Sequence, residues 1–158
     1  MASLTARPAR LYGALARAEM VTWTLLLLGM AAKYALGADW ATRIAGGIHG
    51  FVFLSYCVVT VLVAVDHRWR ARDLLLGLAS AVVPYATVPF ERSAERRGLV
   101  EGEWRLLQSD GPHPARPVDR AVAWALGSPA LAAVGALVVV SLIFAGLLRL
   151  GPPTQWFS

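Results

Sequence analysis

The sequence has few charged residues and a single cysteine. Charged side chains make up 16% of the 158 residues, whereas 57% are hydrophobic. A soluble domain of this length needs much more polar surface, so that class of protein is excluded. Cys57 lies alone inside an apolar run, which rules out an internal disulfide and leaves the redox compartment undetermined.

The residue patterns of common catalytic and metal sites are also missing. The three histidines are dispersed at positions 49, 67 and 113, and with one cysteine they give no metal-ligand spacing. There is no phosphate-binding glycine loop and no arrangement of nucleophile and base. A lone intramembrane histidine binds haem only as one of a pair, which requires a second chain. We expect a protein that is not an enzyme and carries neither metal nor cofactor.

The net charge of +5 comes from arginines that flank apolar stretches. Three lie within residues 7–17 and three within 68–72. Flanking charges of this kind orient membrane spans, and they form no basic stripe for nucleic acid. They predict a cytoplasmic N-terminus. Arginine outnumbers lysine fourteen to one, a codon bias that indicates a bacterial source.

Four long apolar stretches occupy most of the chain, at residues 18–36, 44–65, 74–90 and 128–148. Each is close to the length that crosses a bilayer. In the first, acidic Glu19 and the length of the run favour a retained span over a signal peptide. The pattern predicts an all-α integral membrane bundle of four transmembrane helices, with a polar or amphipathic segment between the third and the fourth.

We divide the chain into three parts. Residues 1–98 form a three-helix membrane unit, 99–120 a polar surface loop or interfacial helix, and 121–158 a fourth transmembrane helix with a short tail. Apolar residues at helical spacing in the middle part favour the interfacial helix; they are Val100, Trp104 and Leu107.

The third stretch, 74–90, contains Pro84, which should kink it. Four full crossings place the arginines of 91–120 outside, against the positive-inside tendency. A re-entrant third segment would return them to the cytoplasm, but lipid-exposed re-entrant backbone is not tolerated. We therefore predict that this stretch crosses fully.

The second stretch carries His49, the best single pointer to a site, because a polar side chain in hydrocarbon is expensive unless it faces protein. Gly46, Gly50 and Tyr56 share its side of the helix, and the glycine pair should let a neighbouring helix approach closely. The simpler interpretation is a hydrogen bond that fixes packing; the other is a proton or ligand site.

Glu19 and Lys33 complete the candidate intramembrane polar site of His49, Glu19, Lys33 and Tyr56. They lie fourteen residues apart, about 21 Å along a helix, so they cannot pair with each other. We expect Lys33 to reach the interface and Glu19 to pair with an arginine of 68–72. Gly77 and Pro84 of the third stretch should serve helix packing.

A series of short motifs resembles one known family. The motifs are Glu19, Lys33-Tyr34, His49-Gly50, Trp69, Pro84-Tyr85 and Glu91-Arg92. In this order, over about residues 17–98, the chain resembles the DUF3817 (YdzA-like) family of small bacterial integral membrane proteins. The resemblance implies that Glu19, Lys33, His49 and Pro84 belong to one three-helix unit. It implies no activity.

For function, we predict a non-enzymatic accessory or scaffold subunit of a membrane assembly, in the plasma membrane of a bacterium. Small size and too few polar residues to line a pathway favour this role. Its partners would be the lipid bilayer and a membrane protein or further copies of itself, without nucleic acid. The alternative is a self-associating transporter or channel that uses His49 and Glu19 as proton or ligand groups.

Overall fold

The computed structural model describes residues 7–108, 116–128, 130–132, 134–135 and 137–138. Within them every regular element is helical, as predicted. The elements are α1 (Pro8–Leu36), α2 (Asp39–Asp66), α3 (Ala71–Val82), α4 (Thr87–Arg96), a 3-10 turn (Arg105–Leu107) and α5 (Pro117–Gly127). The chain divides into two compact units, Met1–Pro112 and His113–Ser158.

Helices α1 and α2 form an antiparallel pair joined by a two-residue turn. Gly37 adopts the left-handed conformation at φ 68°, and its N–H donates to the carbonyl of Lys33, which ends α1. Both helices are long and apolar enough to cross a membrane. α1 begins at Pro8, ten residues before the predicted span, because proline suits the first helical position.

The two long helices approach most closely at Gly29, and not at the glycines that we predicted. A Cβ added at Gly29 would lie 3.1 Å from the carbonyl oxygen of Ala41 and 3.2 Å from the Cβ of Ala45. At Gly50 the described residues leave open space, and at Gly46 the nearest atom is 3.9 Å away. Among the described residues, no helix of this chain packs closely on Gly46 and Gly50, and their role in helix packing stays a prediction.

Gly77 does provide the helix contact predicted for the third stretch. A Cβ there would lie 2.9 Å from Cγ2 of Thr60 on α2 and 3.1 Å from the Phe90 ring on α4. A larger residue at this position would push three elements apart, since α3 packs against both neighbours through it.

The predicted third span is two short helices with a break at Pro84. Proline disfavours the helical conformation of the preceding residue, and Val83 is extended at φ −93° and ψ 121°. Pro89 falls in the first turn of α4, where no backbone N–H is needed. Pro84 therefore ends α3, where we predicted a kink in a continuous helix.

After the break, α4 runs back beside α1 to the end at which α3 began. Near the turn, Trp23 Nε1 donates to the carbonyl of Ala81 at 3.3 Å. Thr87 Oγ1 donates to the Ala16 carbonyl at 2.9 Å, which places the start of α4 against the first half of α1. Arg97 then reaches Asp73, at the start of α3, at 2.6 Å.

The α3–α4 hairpin thus enters and leaves at one end of the α1–α2 pair, and the prediction that residues 74–90 cross fully is not confirmed. The objection to a re-entrant segment was exposed backbone at depth. Trp23 binds the Ala81 carbonyl, and Thr87 is fully buried against α1, so protein covers the polar groups on either side of the bend. Residues 82–85 at the bend itself are exposed.

The segment after α4 is a folded loop without the predicted interfacial helix. Val100 and Trp104 are buried, while Leu107 is exposed. Gly98 and Gly102 have positive φ angles of 68° and 90°, which interrupt a helix. Within residues 99–108 the regular element is the 3-10 turn Arg105–Leu107.

The second compact unit contains α5, and residues 130–132, 134–135 and 137–138 are also helical. The predicted fourth span, 128–148, lies for the most part outside the described residues. A bundle of four transmembrane helices is therefore not confirmed.

We expect Gly29→Val to separate α1 from α2. The new side chain meets backbone atoms at Ala41 that cannot move aside, so the free energy of unfolding should fall by ~1–3 kcal/mol. Gly47→Val is the matched control, because no described atom lies within 4 Å of a Cβ at that position. Loss of helical circular dichroism along a denaturing-detergent titration measures both variants. Equal midpoints would contradict the assigned contact.

Candidate functional site

Glu19 and His49 meet in the interior of the α1–α2 pair. Glu19 is 0% exposed and His49 is 9% exposed. The His49 Nδ1 atom lies 3.8 Å from Glu19 Oε2. Thr22, one turn beyond Glu19, places its hydroxyl 3.2 Å from the same Nδ1. Two helices thus bring together a carboxyl, an imidazole and a hydroxyl group.

Aromatic rings cover the imidazole of His49. The Trp23 ring centroid lies 4.5 Å from that of His49, and the Phe53 centroid lies 6.1 Å away. The imidazole therefore faces protein, as the helical spacing of α2 predicts. The aromatic rings and the α1 backbone keep the Glu19–His49 pair in a nonpolar setting, where charge is costly and hydrogen bonds are strong.

A second polar cluster lies two turns nearer to the start of α1. Tyr12 and Tyr56 share a hydrogen bond of 2.7 Å between their hydroxyl groups. The Tyr56 hydroxyl also lies 3.0 Å from Ser80 Oγ on α3, and Thr60 Oγ1 donates to the Tyr56 carbonyl at 2.7 Å. These hydroxyl groups satisfy one another, so the cluster fixes α1, α2 and α3 in one register.

The structure separates the four residues of the predicted polar site. It joins Glu19 to His49, and it places Tyr56 in the tyrosine cluster. Lys33 lies at the far end of α1, where its Nζ atom is 3.2 Å from the carboxylate of Asp39 and both side chains are largely exposed. Lys33 therefore belongs to an interfacial ion pair and not to the buried site.

Glu19 does not take the partner that we predicted. An arginine of 68–72 was expected, but the carboxyl group faces Thr22 and His49. Arg68, Arg70 and Arg72 are all exposed. The physical reason is distance along the helix: the loop after α2 lies beside Tyr12 through Trp69, and Glu19 is seven residues, about 10 Å, further along α1.

At the arginine-rich end, the buried carboxylate of Asp66 holds the loop that follows α4. Its two oxygens accept the backbone N–H groups of Arg105 and Leu106, each at 2.9 Å. Trp69 Nε1 donates to the Leu99 carbonyl at 2.7 Å. We call these contacts the Asp66 latch. It caps the 3-10 turn and fixes residues 99–106 beside the end of α2.

Glu91 packs in the contact between α4 and α1. Its carboxyl group lies over Gly13, where a Cβ would come within 2.6 Å of Oε1. Burial raises the pKa of the Glu91 carboxyl, and the nearby Glu95 charge adds to this, while Arg17 and Arg92 act in the opposite direction. A neutral Glu91 is therefore favoured more in the folded chain than in the unfolded chain.

Sequence reasoning missed Tyr12, Thr22 and Asp66. Tyr12 precedes the predicted first span, yet it lies seven residues before Glu19 and so on the same helix face. Extending the periodicity of the first span backwards would have found it. The role of Asp66 depends on residues 39 and 40 positions further along the chain, and no local pattern indicates that.

Two long apolar helices, a returning hairpin and a buried acid–imidazole pair define a small helical protein whose first two helices are candidate membrane spans. A family model described as a domain of unknown function, DUF3817, matches residues 9–96, which is more than half of the chain. The chain belongs to this family, and the resemblance noted from the motifs is confirmed. No solved structure matches the chain with significance.

Two curated relatives carry names that describe membrane proteins. The chain is similar to SCO5905 of Streptomyces coelicolor, with 40% identity over 96 residues, which cover 60% of this chain and 11% of that relative. It is also similar to YdzA of Bacillus subtilis, an uncharacterised membrane protein, with 29% identity over 68 residues, or 43% of this chain and 71% of that protein. The chain is therefore similar to membrane proteins of unknown function.

Removing the Asp66 carboxylate should free the loop after α4. Asp66→Ala leaves two backbone N–H groups without their acceptor, at a cost of ~1–3 kcal/mol for each group that stays buried. We expect several-fold faster tryptic cleavage after Arg97 or Arg105 in detergent, with Asp66→Asn intermediate. Asp39→Ala removes an exposed ion pair and serves as control. Unchanged cleavage of Asp66→Ala would refute the latch.

Proposed function

We propose that this protein is an accessory or scaffold subunit of a larger membrane assembly. The observation that carries the proposal is the relative from Streptomyces coelicolor, in which the matched region is about one ninth of the polypeptide. In that relative the region is covalently joined to a much longer chain. A unit that occurs within a much larger polypeptide fits a role beside a larger membrane protein.

The outer surface of the helix pair supports this proposal. Large apolar side chains on α1 and α2 stay exposed in the folded chain; examples are Val21, Leu25, Leu28, Ile44, Ile48 and Phe51. Lipid or a membrane-protein partner suits such a surface, and water does not. Gly47 and Gly50 on α2 also leave room for another helix to approach.

We further propose that α1 and α2 cross the plasma membrane and that α3–α4 is a re-entrant hairpin, with the N-terminus in the cytoplasm. Charge supports this orientation. Among the described residues, most of the exposed arginines lie at the end shared by the start of α1 and the loops after α2 and α4; they are Arg7, Arg10, Arg17, Arg68, Arg70, Arg72, Arg92, Arg96 and Arg97. The opposite end carries Lys33 and Arg43. The excess of basic residues at the end proposed to be cytoplasmic follows the positive-inside rule.

Cysteine labelling tests this topology. In a Cys57→Ala background, Ala35→Cys and Gln108→Cys place a thiol at exposed positions on opposite ends of the helix pair. With a membrane-impermeant maleimide and intact cells, we expect Ala35→Cys to react and Gln108→Cys to react only after permeabilisation. The reverse pattern contradicts the orientation, and equal labelling of both contradicts the hairpin.

Purification in a gentle detergent tests the subunit role. We expect the tagged chain to retain one other membrane protein in stoichiometric amount, identified by mass spectrometry. The α2 substitution Gly50→Leu should reduce that recovery, because it fills the space that Gly50 leaves open. Recovery of the chain alone, together with proton or solute flux in liposomes that His49→Ala abolishes, would favour the self-associating transporter instead.

A further inference from the structure

Glu19 has one carboxyl oxygen that is buried and unpaired. Oε1 is shielded from solvent and accepts no hydrogen bond from any residue that the structure describes. Oε2 lies 3.5 Å from Thr22 Oγ1. The neighbouring tyrosine cluster is different, because Tyr12, Tyr56 and Ser80 bond one another. A charged carboxylate with a free oxygen is among the most costly groups to bury.

The hydrogen bonds around Thr22 orient the imidazole of His49. Thr22 Oγ1 lies 3.1 Å from the backbone carbonyl oxygen of Glu19, which can only accept, so the hydroxyl group donates its hydrogen there. With its hydrogen placed there, the hydroxyl oxygen is an acceptor for His49 Nδ1 at 3.2 Å. In that arrangement Nδ1 carries the hydrogen of the imidazole, and the same atom lies 3.8 Å from Glu19 Oε2.

The surrounding elements offer the pair little compensating charge. On α1, Arg17 is exposed and lies near Gly13, on the side where Glu91 of α4 approaches. From α3, Ser80 contributes an uncharged hydroxyl group to the neighbouring tyrosine cluster. Among the residues that the structure describes, the imidazole of His49 is the basic group that lies within ion-pair distance of Glu19.

We propose that Glu19 and His49 together form a proton-binding site that holds one exchangeable proton in the membrane interior. Without that proton the buried pair carries a net negative charge, and with a second one it is positive. With one proton the pair is neutral, either as carboxylate and imidazolium or as carboxylic acid and imidazole. Neutrality is the form that a nonpolar interior favours.

The site goes beyond the subunit role and does not depend on it. A proton can be held there to keep the helix contact neutral, or exchanged when the contact opens. The retention of a partner protein and the protonation of this pair are separate measurements, so either can fail without the other.

Infrared and nitrogen NMR spectroscopy of the full chain in lipid test the site. The carbonyl stretch of a protonated carboxyl group reports Glu19, and the imidazole nitrogen shifts report His49. At neutral pH we expect one proton in total on the two groups. The part of the carbonyl stretch that comes from Glu19 should vanish in Glu19→Gln. Glu91→Gln, which changes the other buried glutamate, is the matched control and should leave the Glu19 signal in place.

A deprotonated Glu19 beside a neutral His49 at neutral pH would overturn the proposal, and so would a doubly protonated pair. If Glu19→Gln fails to fold, wild-type protein with isotope-labelled glutamate carboxyl groups gives the same count of protons on the Glu19–His49 pair. Thr22→Val then serves as the second variant. Because its hydroxyl group orients Nδ1, we expect the His49 nitrogen signals to shift while one proton stays on the pair; a pair without a proton in this variant counts against the site.

Discussion

The restriction that Pro84 places on Val83 determines the architecture of the first unit. An extended Val83 ends α3 after 12 residues, about 18 Å, which is too short to cross a bilayer. The chain must then turn while still beside α1. All later contacts of the unit, from Thr87 on Ala16 to the Asp66 latch, depend on that return.

Polar groups hold this apolar unit together at three levels. The Asp66 latch fixes the arginine-rich end, the tyrosine cluster links α1, α2 and α3, and Glu19 with His49 lies deeper along the helix pair. The tyrosine cluster pairs its buried hydroxyl groups, whereas Nδ1 of His67 and Nη2 of Arg105, at the end held by the latch, are buried without a hydrogen-bond partner among the described residues. Glu19 Oε1 is also unpaired and lies deepest, and a feature that is costly in a nonpolar interior is where a function is best sought.

Sequence reasoning predicted the helical class and the inward direction of His49, because each follows from local composition or from helical periodicity. At Pro84 it predicted a kink, where the structure has the end of a helix. It failed on the course of the chain after Pro84 and on the partner of Glu19. Both depend on contacts between residues far apart in the chain, such as Thr87 with Ala16, and on the register of α1 against α2 that Gly29 fixes.

The folded part of the first unit begins and ends at the same end of the helix pair, since the Asp66 latch returns residues 99–106 to the neighbourhood of Tyr12 and Trp69. A module with both attachment points on one side can be spliced into a host polypeptide without inverting the segments before or after it. The position of both attachment points on one side gives a geometric reason why one domain can exist both as a short chain and as a small part of a long one.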